Sequence, residues 1–300
     1  MMETTNRIDW KRGMEITPRT FMDADNYHIY ENRIARQCIV PQPYGLLPQN
    51  TFELQYTIQG NKLVIGKISC VVLDINGVTL QLNRGVEIAL PHTTQGIFYL
   101  IVSSGGDECV EENGVPYRVN PPRFNIINLL DNSKPSSLPL MKLQVNHGDW
   151  EVVDFIPPCC AVQAHPLLVQ LAKQCKQALN KILSLARQQG YNEVYYELGG
   201  LLVELTNTLR GDTPIAFLTR LKKAIFILNA HNLLEKAGFE EVDDFVWGEY
   251  NPHTILETIQ RALAYFTIVI DFLTRPVEAP APVVEKEKPK EEDEEITYML

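Results

Sequence analysis

Residues 63–82 have the sequence LVIGKISCVVLDINGVTLQL. Two runs of β-branched and apolar residues flank an Asn76-Gly77 pair in this stretch. Both residues of such a pair tolerate the positive φ angles that a tight hairpin turn requires. The stretch therefore predicts two antiparallel strands, Leu63–Leu73 and Val78–Leu82, joined by a short turn.

Further strand candidates lie on both sides of this hairpin. They are short runs rich in β-branched and aromatic residues, separated by turns of proline, glycine and asparagine: Phe52–Ile58, Gly85–Leu90, Ile97–Val102, Phe124–Leu129, Leu140–Val145 and Trp150–Ile156. Many short strands at regular spacing are typical of a sandwich or barrel. One helix is predicted before them, at about residues 20–38.

The pattern turns helical after Pro166. Apolar residues recur at alternating spacings of three and four, as in the seam of a helix that packs on another helix: Leu168, Leu171, Cys175, Ala178, Ile182 and Leu185. Gly190 follows this seam, at a position where glycine commonly ends a helix. The spacing therefore predicts a long helix with one apolar side.

Three more helices are expected at about residues 192–209, 214–236 and 252–275. Asp212 or Thr213 can cap the helix that begins near residue 214, and Asn251 can cap the last one; Pro214 and Pro252 suit the first helical turn. Four helices joined by mostly short loops predict an up-down bundle. The last helix is apolar on nearly every side, so we expect it to be buried among subunits; its apolar residues include Ile255, Ile259, Ala262, Leu263, Tyr265, Phe266, Ile268, Val269 and Ile270.

The chain therefore has a predicted α+β fold in three parts. Residues 1–161 form a β-sandwich, residues 162–275 a four-helix bundle and residues 276–300 a tail. The tail is rich in proline and acid, which predicts disorder. Because it ends in the apolar residues 296–300, a solubilising tail and a peptide motif that orders on a partner are both consistent with the pattern.

The net charge of −10 argues against a general nucleic-acid or anionic-membrane surface. Eight acids and three lysines in the tail account for −5 of it. No apolar stretch is long enough to span a membrane, and the polar N-terminus is unlike a signal peptide. Six cysteines without a CxxC pair fit a reducing compartment. We therefore expect a cytoplasmic protein without membrane insertion or nucleic-acid binding.

Few residue patterns in the sequence carry chemistry. None of the six histidines belongs to an HExxH motif, and no GxSxG or P-loop pattern occurs. We expect no enzymatic activity, no cofactor and no metal site. The alternative is an enzyme built on the sandwich, in which His92, His147 or Cys109 would have to meet in one pocket.

The segment WKRGMEITPRTFMDADNY, residues 10–27, combines large apolar residues with glycine and proline. Trp10, Met14 and Phe21 must be buried either in the core of the sandwich or against another subunit. Because large buried aromatic residues mostly serve folding, the residues alone favour the core of the sandwich.

The same segment resembles the opening signature of the TssK family of type VI secretion baseplate proteins, roughly W-x-E-G-M-x-L-x-P-Q-H-F-Q-Q-x-D-x-Y. Ile16 is a conservative match, and the residues that match in register are Trp10, Gly13, Met14, Pro18, Phe21, Asp25 and Tyr27. Pro43–Leu46 resembles the family's step into the first sandwich strands. Asp154–Pro158 followed by Ala164–Leu167 resembles its exit from the sandwich, or shoulder, to the helical neck.

The sequence also departs from the family. Arg12 stands where the family usually has an acid, and Arg19-Thr20 replace Gln-His. Typical members continue after the neck into a head domain that docks on the membrane complex, whereas only the tail follows here. The resemblance is therefore to a reduced TssK, in which the tail would dock on membrane-complex proteins instead.

The resemblance implies a structural adaptor of the type VI secretion baseplate. TssK-like proteins are homotrimers whose shoulder binds the wedge proteins TssF and TssG. We expect the seven matched residues to contact the wedge, and the neck to hold the trimer through Leu168, Leu171, Cys175, Ile182, Leu185, Ile259, Phe266 and Ile270. The alternatives are a phage-type baseplate or receptor-binding protein with the same shoulder, and an oligomeric scaffold unrelated to secretion.

Overall fold

A computed structural model describes most of the chain. The described residues are 7–39, 44–49, 52–74, 77–106, 108–112, 115–119, 121–128, 137–208, 212–239, 245–246 and 248–275. The predicted tail, residues 276–300, lies outside them, so the expectation of disorder stays a prediction.

One helix and a set of antiparallel strands make up the first half of the described chain. They are α1 (Pro18–Ile39), β1 (Gly45–Leu46), β2 (Glu53–Gln59), β3 (Lys62–Leu73), β4 (Thr79–Leu82), β5 (Val86–Ala89), β6 (Gln95–Ser104), β7 (Glu108–Glu112), β8 (Val115–Val119), β9 (Pro122–Ile127), β10 (Leu138–Asn146) and β11 (Asp149–Val153). The predicted α+β fold with antiparallel sheets is confirmed.

Two sheets share one hydrophobic core. In the first, the long strand β3 pairs with β1, β2, β4 and β5, and in the second the order is β11-β10-β6-β9. Leu63 and Ile65 of β3 lie in the same buried cluster as Leu100 of β6 and Leu143 of β10. β7 and β8 pair only with each other among the described strands.

The hairpin predicted at Asn76-Gly77 is present. β3 and β4 pair antiparallel, and Gly77 has a φ of 82°. The backbone N–H of Val78 donates to the Asp74 carboxylate at 2.7 Å, and the N–H of Asp74 donates to the carbonyl of Val78 at 2.9 Å. Asn76 itself is outside the described residues. The short side chain of Asp74 therefore closes the turn, as is usual for aspartate in turns.

Helices make up the second half of the described chain. They are α2 (Pro166–Gln188), α3 (Asn192–Thr208), α4 (Pro214–Ala230), α5 (Leu233–Lys236) and α6 (Ile255–Thr274), with 3-10 turns at Val162–Ala164 and Pro252–Thr254. α2 packs on α3 and α6, and α4 packs on the same two helices. Of the two candidate caps of α4, the structure uses Thr213, whose hydroxyl accepts from the N–H of Ala216 at 3.3 Å.

Two details of the helical prediction are wrong. The helix expected over residues 214–236 is interrupted at Asn232, which has a φ of 57°, a left-handed conformation that asparagine adopts more readily than most residues. The buried side of α2 also shifts from the predicted seam, because Leu185 is only half-buried and Ala186 is buried instead. An α-helix completes five turns in about 18 residues, so Leu168 and Ala186 share a face while a heptad seam drifts off it.

The expectation that α6 is apolar on nearly every side is also wrong. Glu257, Gln260, Ala264, Thr267 and Asp271 form an exposed, mostly polar stripe on it. The opposite side is buried in the chain's own core through Ile255, Leu256, Ile259, Ala262, Tyr265, Phe266, Val269, Ile270 and Leu273. Burial of this helix therefore does not require a second copy of the chain.

A short parallel pairing joins the entrance of the sandwich to its exit. The N–H of Leu46 donates to the carbonyl of Pro158 at 2.8 Å, and the N–H of Cys160 donates to the carbonyl of Leu46 at 2.9 Å. Gly45 has a φ of 132°, and a Cβ there would lie 2.5 Å from the Pro158 oxygen. Only glycine fits this position, since both the conformation and the space exclude a side chain.

Candidate partner-binding surface

The segment of residues 7–39 lies apart from the core. None of the residues from 7 to 32 is buried, and α1 makes no extensive contact with any other element of the described chain. Trp10 is 52% exposed and Phe21 is 58% exposed. The hypothesis that these residues fill the core of the sandwich is therefore wrong. Neither residue belongs to the buried cluster of the described structure, so their burial would need a contact that this part of the chain does not make.

Local interactions give the segment its shape. The N–H of Met14 donates to the carbonyl of Lys11 at 3.1 Å and closes a turn in which Gly13 has a φ of 83°. The N–H of Thr20 then donates to the Thr17 hydroxyl at 3.3 Å, which caps α1, and Pro18 occupies the first helical position. Gly13 and Pro18 therefore set the backbone conformation of the segment, and their predicted contact with a wedge protein stays a prediction.

The apolar side chains of the segment form what we call the N-terminal apolar surface: Trp10, Met14, Ile16, Phe21 and Met22. The rings of Trp10 and Phe21 lie 6.2 Å apart at 50°, so the extended run is held against the first turn of α1. A contiguous group of exposed large apolar residues marks an interaction site more often than a free surface. All five members are exposed.

Charged and polar groups border this surface. Lys11 pairs with Asp9 at 3.0 Å and Arg19 with Asp23 at 3.9 Å, all on exposed side chains. Of the two remaining predicted contact residues, Asp25 is exposed and Tyr27 is half-buried. The structure thus places all seven matched residues on one continuous segment, where three present apolar side chains and two shape the backbone.

Sequence reasoning missed two other exposed apolar groups. Met22 and Ile29 lie seven residues apart on α1, and Tyr196 and Val203 lie seven apart on α3, where Tyr196 is 73% exposed. Residues seven apart share a helix face, so the spacing was visible in the sequence. It was passed over because the seam of α2 and the composition of α6 drew the prediction toward those helices.

The residues predicted to pack the neck lie inside a single chain. Leu185 is half-buried, and the other seven are buried: Leu168, Leu171, Cys175, Ile182, Ile259, Phe266 and Ile270. They hold α2 and α6 together within one copy. Their role in a trimer stays a prediction.

The residues named for an enzymatic alternative are only partly brought together. His92 lies in an open cleft with Asn61, whose amide nitrogen is 3.3 Å from its Nε2. The turn of His147 adjoins that cleft, because the N–H of Gly148 donates to the carbonyl of Thr94 at 3.2 Å. The side chain of Cys109 is outside the description. Among the described residues, no group of three His, Cys, Asp or Glu side chains could hold a metal ion.

Burial shifts the pKa values of two groups strongly: His165, directly before α2, and Cys175, inside α2. Burial lowers the pKa of His165 to about 4, so its imidazole is neutral at pH 7, where it packs 4.7 Å from the ring of Phe52. Burial also raises the pKa of the Cys175 thiol to about 12. A thiol that stays protonated is a poor nucleophile, so Cys175 acts as a small apolar residue.

None of the described helices is long and apolar enough to cross a membrane. The described chain is an α+β fold of two antiparallel sheets followed by packed helices, with an apolar segment held outside its own core.

Solved structures with this fold exist. The crystal structure of TssK superimposes with a TM-score of 0.65 at 13% identity, covering 89% of this chain and 69% of that one. TssK from the type VI secretion system of EAEC, in complex with nanobody nb18, gives 0.64 at 13% identity over 84% and 69%. A chain of the type VI secretion TssK-TssF-TssG baseplate subcomplex gives 0.64 at 14% identity over 90% and 99%. The fold is therefore TssK-like.

Comparison by sequence finds nothing: no family model matches the chain, and no curated protein does either. The resemblance suggested by the N-terminal signature is thus confirmed by structure, at a sequence identity that establishes the fold alone.

Proposed function

We propose that this chain is a non-enzymatic structural adaptor of a type VI secretion baseplate, located on the cytoplasmic side of the membrane. As a homotrimer it would link TssF- and TssG-like wedge proteins to the membrane-anchoring complex. Residues 1–161 would form the shoulder, residues 162–275 a four-helix neck and residues 276–300 a disordered tail that reaches membrane-complex proteins. The likeness to structures of TssK and of the TssK-TssF-TssG subcomplex supports this assignment.

The observation that carries the proposal is the N-terminal apolar surface. It lies on the segment that matches the TssK signature, and its rings Trp10 and Phe21 pack on each other and stay more than half exposed, whereas Tyr265 and Phe266 are buried in the core. A buried aromatic anchor in a partner's pocket is a common centre of a protein–protein interface. We therefore assign wedge binding to Trp10, Met14 and Phe21, with Asp25 and Tyr27 at the edge of the contact.

The proposed trimer would use exposed side chains of the helical part. Since the seam of α2 and the apolar side of α6 are already buried in one chain, the contact between copies would use exposed apolar residues of the described helices, which include Tyr196 and Val203 on α3 and Phe226 on α4. Three shoulders on one assembly would bind repeated wedge proteins with a higher effective concentration than a single copy.

The test is capture of TssF and TssG from the same secretion cluster by the tagged full chain. Replacing Trp10, Met14 and Phe21 together by alanine should reduce capture at least tenfold, because the anchors are lost while the core is untouched. A matched variant replaces Tyr56, Ile97 and Val110, which are exposed on strands, and should capture normally.

Light scattering on the same preparations should give a mass near three times 34.1 kDa for all of them. Normal capture by the N-terminal variant would contradict the assigned surface, and a monomer at every concentration would contradict the trimer.

A further inference from the structure

The outward side of α2 carries only positive charge. Over its 23 residues the helix contains no aspartate or glutamate, and its four cations are Lys173, Lys176, Lys181 and Arg187. At about 100° per residue they fall within an arc of roughly 140° of the helix, away from the buried seam. Lys173, Lys181 and Arg187 are exposed, and Lys176 is half-buried. We call these four residues the basic face of α2.

In the described part of the chain, the basic face forms no ion pair with an acidic side chain. Across the described residues, no carboxylate lies within 4.0 Å of any of its lysines. Arg187 instead lies over the ring of Tyr195, 5.4 Å from its centroid. Two acids of the adjoining helix α3, Glu193 and Glu197, lie 3.7 and 3.5 Å from the ring nitrogens of His231. Like charges at neighbouring positions of one helix repel, so an anionic segment along this face would stabilise it.

The start of the acidic tail lies beside one end of the basic face. The side-chain amide of Gln189, directly after α2, donates to the carbonyl of Leu273 near the end of α6. The chain beyond Arg275 therefore begins next to Arg187. The following 25 residues hold eight acids and three lysines, with five consecutive acids at Glu291–Glu295.

The tail is long enough to follow the whole face. An extended chain spans up to about 3.3 Å per residue, so 25 residues can reach roughly 80 Å. The 23 residues of α2 span about 35 Å. The acids at Glu291–Glu295 can therefore meet any of the four cations, whichever direction the tail takes from Arg275.

We propose that residues 276–300 bind the basic face of α2 in the same chain while no other protein holds the tail, with Glu291–Glu295 against its cations. Each pair of exposed charges is weak, about 0.2–1 kcal/mol. The tether compensates for this weakness, because a short linker holds the tail at a millimolar effective concentration. The contact depends on charge, so it should weaken steeply as salt shortens the screening length below about 10 Å. It does not rest on the secretion role and is testable without any wedge protein.

The experiment is zero-length carbodiimide cross-linking of the full chain, which couples carboxylates to amines in contact, followed by mass spectrometry. In 20 mM NaCl, tail carboxylates should couple to Lys173, Lys176 and Lys181. The variant K173E/K181E keeps Lys176 as reporter, and its coupling to the tail should fall at least fivefold. A matched variant, R84E/K223E, reverses two exposed cations elsewhere and should leave that coupling unchanged.

Two further readouts complete the test. Raising NaCl to 500 mM should suppress the coupling to Lys176, and in a mixture of ¹⁵N-labelled and unlabelled chains the coupled peptides should carry one isotope. Equal coupling in the wild-type chain and K173E/K181E would overturn the proposal. So would tail coupling spread evenly to Lys223, and so would mixed-isotope peptides, which would show that the tail binds another copy. Circular dichroism of both variants confirms that the exposed substitutions leave the fold intact.

Discussion

Two helices of similar length, α1 with 22 residues and α6 with 20, differ in how much of their apolar surface the described chain buries. α6 buries nine residues, among them Tyr265 and Phe266, in the core that joins the helices. α1 carries Phe21, Met22 and Ile29 and buries none of them in the described structure. An isolated helix of this length is marginal in water, since most helix stability in proteins comes from tertiary packing. The difference indicates that α6 stabilises the chain and that α1 needs a partner to be stabilised itself.

The largest expected effect comes from a matched pair of phenylalanines. Phe266 is 0% exposed, so Phe266→Ala should lower the free energy of unfolding by about 3–5 kcal/mol through lost burial and a cavity. Phe21→Ala should change it by less than about 0.5 kcal/mol, because Phe21 is exposed and packs on another exposed ring, Trp10, outside the core. Urea unfolding of both variants measures the difference. Equal losses would show that α1 packs on the folded chain after all.

The next largest difference in stability is expected between alanine substitutions at two glycines with positive φ, Gly45 and Gly13. Gly45→Ala should destabilise the chain by about 3 kcal/mol, because the new methyl group would meet the Pro158 oxygen in a conformation that suits only glycine. A Cβ at Gly13 would meet nothing within 4 Å. Gly13→Ala should therefore strain the local turn and leave global unfolding unchanged.

Thermal unfolding distinguishes the two variants, with Gly200→Ala as a control at an open helical position. A fall in melting temperature for Gly13→Ala as large as that for Gly45→Ala would contradict the separation of the two regions.

Lowering the pH should reduce the free energy of unfolding by a smaller amount than these substitutions. The folded-state pKa of His165 is about 4 and its ordinary value is 6.5, so between these values the unfolded chain binds a proton that the folded chain does not. Stability is therefore lost as pH falls through 6.5, and at pH 5 the loss is about 2 kcal/mol relative to pH 8. His165→Gln removes this contribution. Urea unfolding at both pH values should show a smaller pH dependence in the variant, and an identical dependence would contradict the assignment.

Local signals predicted much of the fold correctly. The Asn76-Gly77 hairpin, the Thr213 cap and the glycine after α2 each depend on a few neighbouring residues, and all three appear where expected. The break at Asn232 was missed because a single left-handed residue leaves the apolar period of its helix nearly intact. The β7–β8 hairpin was missed because Pro116 lowers the strand propensity of its second strand.

The candidate surface was harder to predict, since exposure is a property of the whole fold. Trp10 and Phe21 are of residue types usually found in cores, and only their exposure in the folded chain shows that they lie outside it. The match to the TssK signature identified the segment as a contact surface, whereas the general tendency of aromatic residues to be buried predicted that it fills the core of the sandwich. The exposed pair Tyr196 and Val203 could have been found from its seven-residue spacing.

The pairing of Leu46 with Pro158 and Cys160 has a mechanical consequence. The two short segments run parallel, so a pull on the N-terminal side of Gly45, resisted at α2, would act along both segments in opposite directions. Both hydrogen bonds would be stretched together instead of opening one after the other. Tension applied at the N-terminal segment would thus pass to the helices through these two hydrogen bonds, and β2 to β11, the ten described strands between the paired segments, would carry little of the load.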